Sequence, residues 1–292
     1  MLRERTIGFI GAGSMAESIL AGLLAKQEVT SDKISLVNRT DQLRLSELID
    51  RYHLTADKQT IGHVAQADIV ILAVKPKDVL EALSEWRSRL SREQLFISVV
   101  AGISTETIAQ ALGGRMAVVR AMPNTSCAVG LSATALCGGN GVAEEQLSMA
   151  ERIFKSIGSV IRVNEGAMDA VTGLSGSGPA YFYYMVEALQ AAGVQAGLSA
   201  ETARQLTVQT LLGAAHMLVE TGKEAGQLRH EVTSPGGTTM AGLEILRQYE
   251  VAEAMKRAVL RAKERSIEMG ANLLARKDRD LSSYQDMNMQ KQ

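Results

Sequence analysis

The amino-acid sequence predicts an α/β fold, with an N-terminal doubly wound sheet followed by an all-helical half. Three observations predict it. An apolar run at 6–10 breaks into Gly11-Ala12-Gly13 and passes at once into a helical pattern. Further strand-like runs follow at 33–37, 68–74, 95–100 and 117–121, separated by helical stretches, and that at 68–74 is nearly continuous in apolar residues, the pattern of a strand buried on both faces of a sheet. From Asp169 onward the strand-like runs stop, and Ala, Leu, Gln and Glu dominate.

The totals bound the reading. With 292 residues, 46% of them apolar and 22% charged, the chain can build two domains, each with its own core. A formal net charge of −1 and 4% aromatics give no electrostatic or stacking case for nucleic acid. No apolar run approaches the length of a membrane span. No signal-peptide pattern precedes the first strand, so a cytoplasmic protein is expected. Cys127 and Cys137, the two cysteines, lack the spacing of a disulfide framework or a zinc site, and no metal is expected.

Taken in order, the first strand ends at Ile10 and the turn reads Gly11-Ala12-Gly13-Ser14-Met15-Ala16, with a helix over 15–26. This is the G-x-G-x-x-A form of the Rossmann turn. Gly11 permits the tight bend, Gly13 lets the backbone approach a pyrophosphate, and Ala16 allows close helix–strand packing. The second strand ends in Asn38-Arg39-Thr40, where an NAD site would carry an acid for the ribose 2′-hydroxyl. With that acid missing, Arg39 and Thr40 suit a 2′-phosphate, which favours NADPH over NADH; the alternative is a polar surface loop. After a helix over 42–52, the strand at 68–74 runs into Ala73-Val74-Lys75-Pro76. These residues border the ligand if the sheet is open, because ligands lie beyond the carboxyl ends of strands. Lys75 also reads as a solvated charge. A helix over 79–90 carries Trp86 as packing, and the strand at 95–100 closes with Ala101-Gly102, small enough for a nicotinamide to approach. A helix over 104–112, capped by Ser104 or Thr105, leads to the strand at 117–121 and Met122-Pro123-Asn124. Strands at 130–137 and 158–163 flank a helix over 143–157. The boundary falls at 164–167, which gives a nucleotide domain over 1–165, a helical domain over 166–275 and a polar tail over 276–292 expected to fray.

The helical half reads as helices over 180–196, 199–220, 223–232, 240–248 and 251–274. The second has a broad apolar face of Leu206, Val208, Leu211, Leu212, Ala215 and Leu218. That width suits a helix central to its own domain or one shared with a second subunit, and the latter is preferred. Between the third and fourth helices lies Ser234-Pro235-Gly236-Gly237-Thr238-Thr239. Pro235 fixes one φ, and the two glycines free the backbone. Two hydroxyls and a row of N–H groups then collect where a helix begins, a place that holds a small anion such as a carboxylate. A tight turn with a helix cap is the plainer reading. The four histidines (His53, His63, His216, His230) are scattered, and no nucleophile elbow or metal-ligand spacing appears. What remains, hydroxyls, amides and a few charges, suits hydride transfer, in which the cofactor carries the chemistry.

Five segments together resemble the pyrroline-5-carboxylate reductase family: GFIGAGSMA at 8–16, AVKP at 73–76, MPN at 122–124, DAVTGLSGSGPAY at 169–181 and VTSPGGTT at 232–239. The resemblance runs from about residue 6 to 270. It implies NAD(P)H-dependent reduction of the imine of Δ1-pyrroline-5-carboxylate to L-proline, the last step of proline synthesis. It also implies that Ile10, Gly11, Ala12, Gly13, Ser14 and Met15 hold the pyrophosphate, and that Asn38 and Arg39 hold the adenosine 2′-phosphate end. Ala73, Val74, Lys75, Pro76, Ala101 and Gly102 then border the nicotinamide. Gly237 and Thr238 bind the substrate carboxylate, Thr239 lies nearest the imine, and Glu165 orients the ring nitrogen or holds the cationic imine. In the family the helical half forms an interleaved homodimer, and five dimers often close into a ring. Thr60 departs from the asparagine that many members carry near the adenine.

Two rivals are kept. A β-hydroxyacid dehydrogenase or imine reductase would carry a lysine or aspartate on the helix at 179–196, where the only charge is Glu187. A regulatory dimer that binds the nucleotide without turnover is the other.

Overall fold

The computed structural model describes residues 2–114 and 116–289, with side chains described as far as Leu273. Its strands are β1 (Ile7–Ile10), β2 (Ile34–Val37), β3 (Ile69–Leu72), β4 (Leu95–Ser98), β5 (Ala117–Met122), β6 (Ser132–Gly138) and β7 (Gly158–Arg162). They form one sheet in the order β2-β1-β3-β4-β5-β6-β7. All neighbours are parallel except β5 and β6. The link between that pair, residues 123–131, holds a 3-10 turn at Thr125–Val129. It is too short for a parallel crossover, which needs roughly a dozen residues or more.

The helices interleaved with these strands are α1 (Ser14–Ala25), α2 (Gln42–Tyr52), α3 (Ile61–Ala65), α4 (Val79–Trp86), α5 (Thr105–Ala111) and α6 (Glu144–Lys155). Alternation along the strands divides the core in two. Ile69, Ile71, Leu95 and Ile97 face Ile19, Leu20 and Phe154 on one side. Val70, Leu72, Phe96 and Val118 face Trp86, Ile108 and Leu273 on the other. Both faces are therefore buried, which is why these strands are predominantly apolar and β3 is entirely so.

After β7 come α7 (Met168–Val171), α8 (Gly178–Gln195), α9 (Ala200–Thr221), α10 (Ala225–Glu231), α11 (Thr238–Gln248) and α12 (Val251–Met289). A single π turn, Thr172–Gly176, joins α7 to α8. The compact units divide as Met1–Ser177 with Arg261–Gln292, and Gly178–Leu260. The division expected at 165 and 275 therefore moves. Met168 is fully buried with Ala135 and Cys137 of β6, which keeps α7 on the sheet. At the other end, buried Ser266 and Leu273 of α12 belong to the sheet unit. The helix also runs to Met289, through most of the tail expected to fray. No glycine or proline interrupts residues 271–289. Residues 290–292 lie outside the described residues.

In the unit Gly178–Leu260, α8 and α9 pack on each other, and a Cβ on Gly193 would lie 3.0 Å from that of Ala203. Much of their apolar surface faces outward. Phe182, Tyr183 and Tyr184 of α8 are 57%, 61% and 75% exposed, and Leu206 and Val208 of α9 are 55% and 50% exposed. So many exposed large apolar side chains on two packed helices are the mark of an interaction site.

Candidate active site

Strand order reverses between β1 and β3, which places a crevice beyond the carboxyl ends of both strands. A cleft of about 950 Å³ lies there. Gly11 turns the chain out of β1 at φ +103°, and its N–H donates to Val37 O at 2.9 Å. A Cβ on Gly11 would sit 2.6 Å from Ala73 O, so no side chain fits. Gly13 is different. A Cβ there would meet nothing within 4 Å, so the space in front of it is open. Gly13 is also the N-cap of α1, and no side chain caps that helix. The first N–H groups of α1 and the positive end of its dipole thus face the open space, which fits a dinucleotide pyrophosphate.

Ile10, Gly11, Ala12, Gly13 and Ser14 line this cleft, as do Asn38, Arg39 and Thr40, and Ala73, Val74 and Lys75. Met15 is not among the residues lining the cleft. Its side chain packs against the core, with the Cys127 thiol 3.8 Å from its sulfur, so it offers only backbone. Pro76 instead begins a 3-10 turn, Pro76–Asp78. Neither Pro76 nor Ala101-Gly102 is among the residues that line the cleft. Gly102, at φ +77°, lies in close contact with α12. A Cβ there would lie 2.9 Å from Ser266 O, and one on Gly270 would lie 2.2 Å from Gly102 O. A helix, α12, requires the small residue there. Thr60, also in the cleft, caps α3 by accepting from the N–H of His63 at 3.3 Å.

Glu165 is placed elsewhere. It lines a separate cavity of about 650 Å³ with Ser104 and Thr105. Thr105 donates its N–H and its hydroxyl to Glu165 Oε2 at 3.1 and 2.7 Å. Arg120 of β5, 3% exposed, donates to Glu165 Oε1 at 2.6 Å and to Asp169 Oδ1 at 3.3 Å. Ser266 of α12 adds a hydroxyl donor to Asp169 at 2.7 Å. Both Glu165 oxygens are thus engaged within the sheet unit, where the carboxylate pairs with a buried guanidinium. Arg120 Nε has no hydrogen-bond partner. Beside this cluster Cys137 lies 3.8 Å from Glu165 Oε2; burial, reinforced by that carboxylate, pushes its thiol up to about 11. Sequence reading missed Arg120, although a lone arginine inside an apolar strand run is itself a signal of buried charge pairing.

The second glycine turn stands in the helical unit. The N–H of Gly237 donates to Ser234 O at 3.1 Å, and Gly236 has φ +70°. With Pro235 between, this is the sequence and geometry of a type II turn. Gly237 caps α11 without a side-chain hydrogen bond. The helix begins at Thr238, two residues before the expected start at 240, so Thr238 and Thr239 are its first two residues. Both are exposed. The first free N–H groups of α11 therefore sit beside two hydroxyls, which suits a small carboxylate.

A cleft at the switch point of an open sheet, behind a glycine turn and an uncapped helix start, in a chain that also carries an apolar helical unit, defines the class of dinucleotide-dependent oxidoreductases. A family model described as pyrroline-5-carboxylate reductase dimerisation matches residues 165–269. One described as NADP oxidoreductase, coenzyme F420-dependent, matches residues 6–102. Pyrroline-5-carboxylate reductase 1 of Bacillus subtilis (strain 168) is 42% identical over 92% of this chain and 91% of its own length. The Arabidopsis thaliana pyrroline-5-carboxylate reductase is 40% identical over 90% and 95%. A solved pyrroline-5-carboxylate reductase from Coxiella burnetii superposes with TM-score 0.82 at 39% identity, covering 91% of this chain and 98% of its own. The Plasmodium falciparum pyrroline carboxylate reductase, solved with NADP bound, gives 0.80 at 28% identity, covering 92% and 100%. The chain belongs to the pyrroline-5-carboxylate reductase family.

Proposed function

We propose that the chain reduces the C=N bond of Δ1-pyrroline-5-carboxylate to give L-proline, with NADPH as donor and NADH as a second choice. The observation that carries this reading is the uncapped start of α11, where Thr238 and Thr239 follow the glycine turn. N–H groups at that start hold the substrate carboxylate, with Gly237 and Thr238 closest. The Thr239 hydroxyl accepts from the ring N–H and fixes the imine carbon's orientation. A reduced nicotinamide bound beside Ala73, Val74 and Lys75 would supply the hydrogen and its electron pair for that carbon. An iminium already carries the proton that stays on nitrogen, so no strong acid is needed from the protein. Ile10 to Ser14 hold the pyrophosphate, Asn38, Arg39 and Thr40 the 2′-phosphate end, and Ala73, Val74 and Lys75 the nicotinamide side. Glu165, held by Arg120 and Thr105, is assigned to positioning.

A homodimer covers the apolar surface of α8 and α9, five dimers close into a ring, and the protein works in the cytoplasm. Among the described residues no helix is long and apolar enough to cross a membrane.

The test is NADPH oxidation with pyrroline-5-carboxylate by wild type, Thr239→Ala and Glu165→Gln. Loss of one hydrogen bond to a charged group predicts a fall in kcat/KM of about ten- to a hundredfold for Thr239→Ala, with an unchanged melting temperature. Glu165→Gln should chiefly lower the melting temperature. Tight NADPH binding without turnover on this imine would sink the assignment and favour the regulatory dimer.

A further inference from the structure

Arg39, the guanidinium expected to meet a 2′-phosphate, is already engaged. It is ion-paired with Glu81 of α4, the two side chains being 52% and 64% exposed. Asp78 and Glu85 add to the negative field at Arg39, and both line the cleft. The other guanidinium lining the cleft, Arg44, is tied to Glu17 and Glu47. Asn38 is also committed, its side-chain amide donating to Asp41 O at 3.1 Å. A 2′-phosphate arriving beside Arg39 meets a neutralised cation next to three carboxylates, with Lys75 and Lys77 elsewhere on the cleft lining, while a 2′-hydroxyl brings no charge and leaves the pair intact.

We propose that Glu81 is a specificity-determining residue: by holding Arg39 it weakens the cleft's preference for a dinucleotide that bears a 2′-phosphate. The proposal rests on Arg39 being the 2′-phosphate contact. A guanidinium fork engages one oxyanion at a time in bidentate geometry, so phosphate and Glu81 compete for it. Once displaced, Glu81 remains nearby as a like charge to the phosphate. NADP⁺ bears both costs and NAD⁺ neither.

The experiment is calorimetric titration of NADP⁺ and NAD⁺ into wild type, Glu81→Gln and Arg39→Gln at low and high salt. Adenosine 2′,5′-bisphosphate and AMP serve as fragment probes that need no turnover. Glu81→Gln should lower the NADP⁺ Kd by about two- to fivefold, the range of an exposed ion pair, and leave the NAD⁺ Kd unchanged. The gain should shrink in high salt, where exposed charges are screened. Arg39→Gln should weaken NADP⁺ alone. If Arg39→Gln does so but Glu81→Gln leaves NADP⁺ binding unchanged or weaker, Glu81 does not compete and the proposal fails. If Arg39→Gln leaves the ratio of the two constants unaltered, the proposal falls together with the reading beneath it.

Discussion

The chain starts two helices behind glycine turns, and the two turns are held by different forces. At α1 the constraint comes from far away in sequence, because Ala73 O would lie 2.6 Å from a Gly11 Cβ. At α11 it is local, the atoms nearest a Gly237 Cβ all belonging to Ser234, the closest at 2.5 Å. The first cradle is therefore part of the sheet's core. The second is a short turn on an exposed helix end. Damage to the first should appear as lost stability, and damage to the second as lost chemistry in a protein that still folds.

The largest expected effect lies in the sheet that carries the first turn. Arg120→Met leaves Glu165 and Asp169 without their buried cation and should cost about 3–5 kcal/mol in urea unfolding. An unchanged midpoint would mean that the sheet unit does not depend on this cluster. Gly11→Ala, strained at φ +103° and blocked by Ala73, should cost about 2–4 kcal/mol. Gly236→Ala, at φ +70° in open space, should cost only about 1–2 kcal/mol. Equal losses would erase the contrast between the turns. Gly13→Ala sharpens it from the other side. Stability should stay within about 0.5 kcal/mol, while the NADP⁺ Kd rises about tenfold or more as the methyl fills the pyrophosphate approach. The smallest effect is one of pH. Cys137 is raised to about 11 in the folded chain, against about 8.5 unfolded. Between those values the folded state binds more protons, so stability falls as pH rises through that window. Cys137→Ala should flatten the stability profile there and leave it unaltered below.

The first turn was legible because strand, glycines and helix follow one another within a few residues. The helix start behind the second glycine turn was legible, although Thr238 and Thr239 read as loop because hydroxyl residues favour caps and turns. The Arg120 cluster was not legible. Its partners lie 45 and 49 residues away, and only the packing of α7 against the sheet brings them together. The contact between Gly102 and Gly270 was not legible, because Gly270 lies on a helix that sequence order assigns to the other half. The five-residue α3, with Gly62 inside it, is too short to show an apolar period.

The return of α12 to the sheet unit bears on the order in which the protein is made. Ser266 meets Asp169, and Leu273 joins the cluster that contains Val100 and Ile103. A ribosome releases the whole of Met1–Ser177 long before Arg261 appears, and domains tend to fold as they emerge. The nucleotide half of a nascent chain therefore waits, with the Gly102 turn bare and one face of its core unsealed, until the α12 residues that pack on it have been synthesised. A chain that stops at Leu260 is an unfinished nucleotide unit, although every strand of its sheet is present.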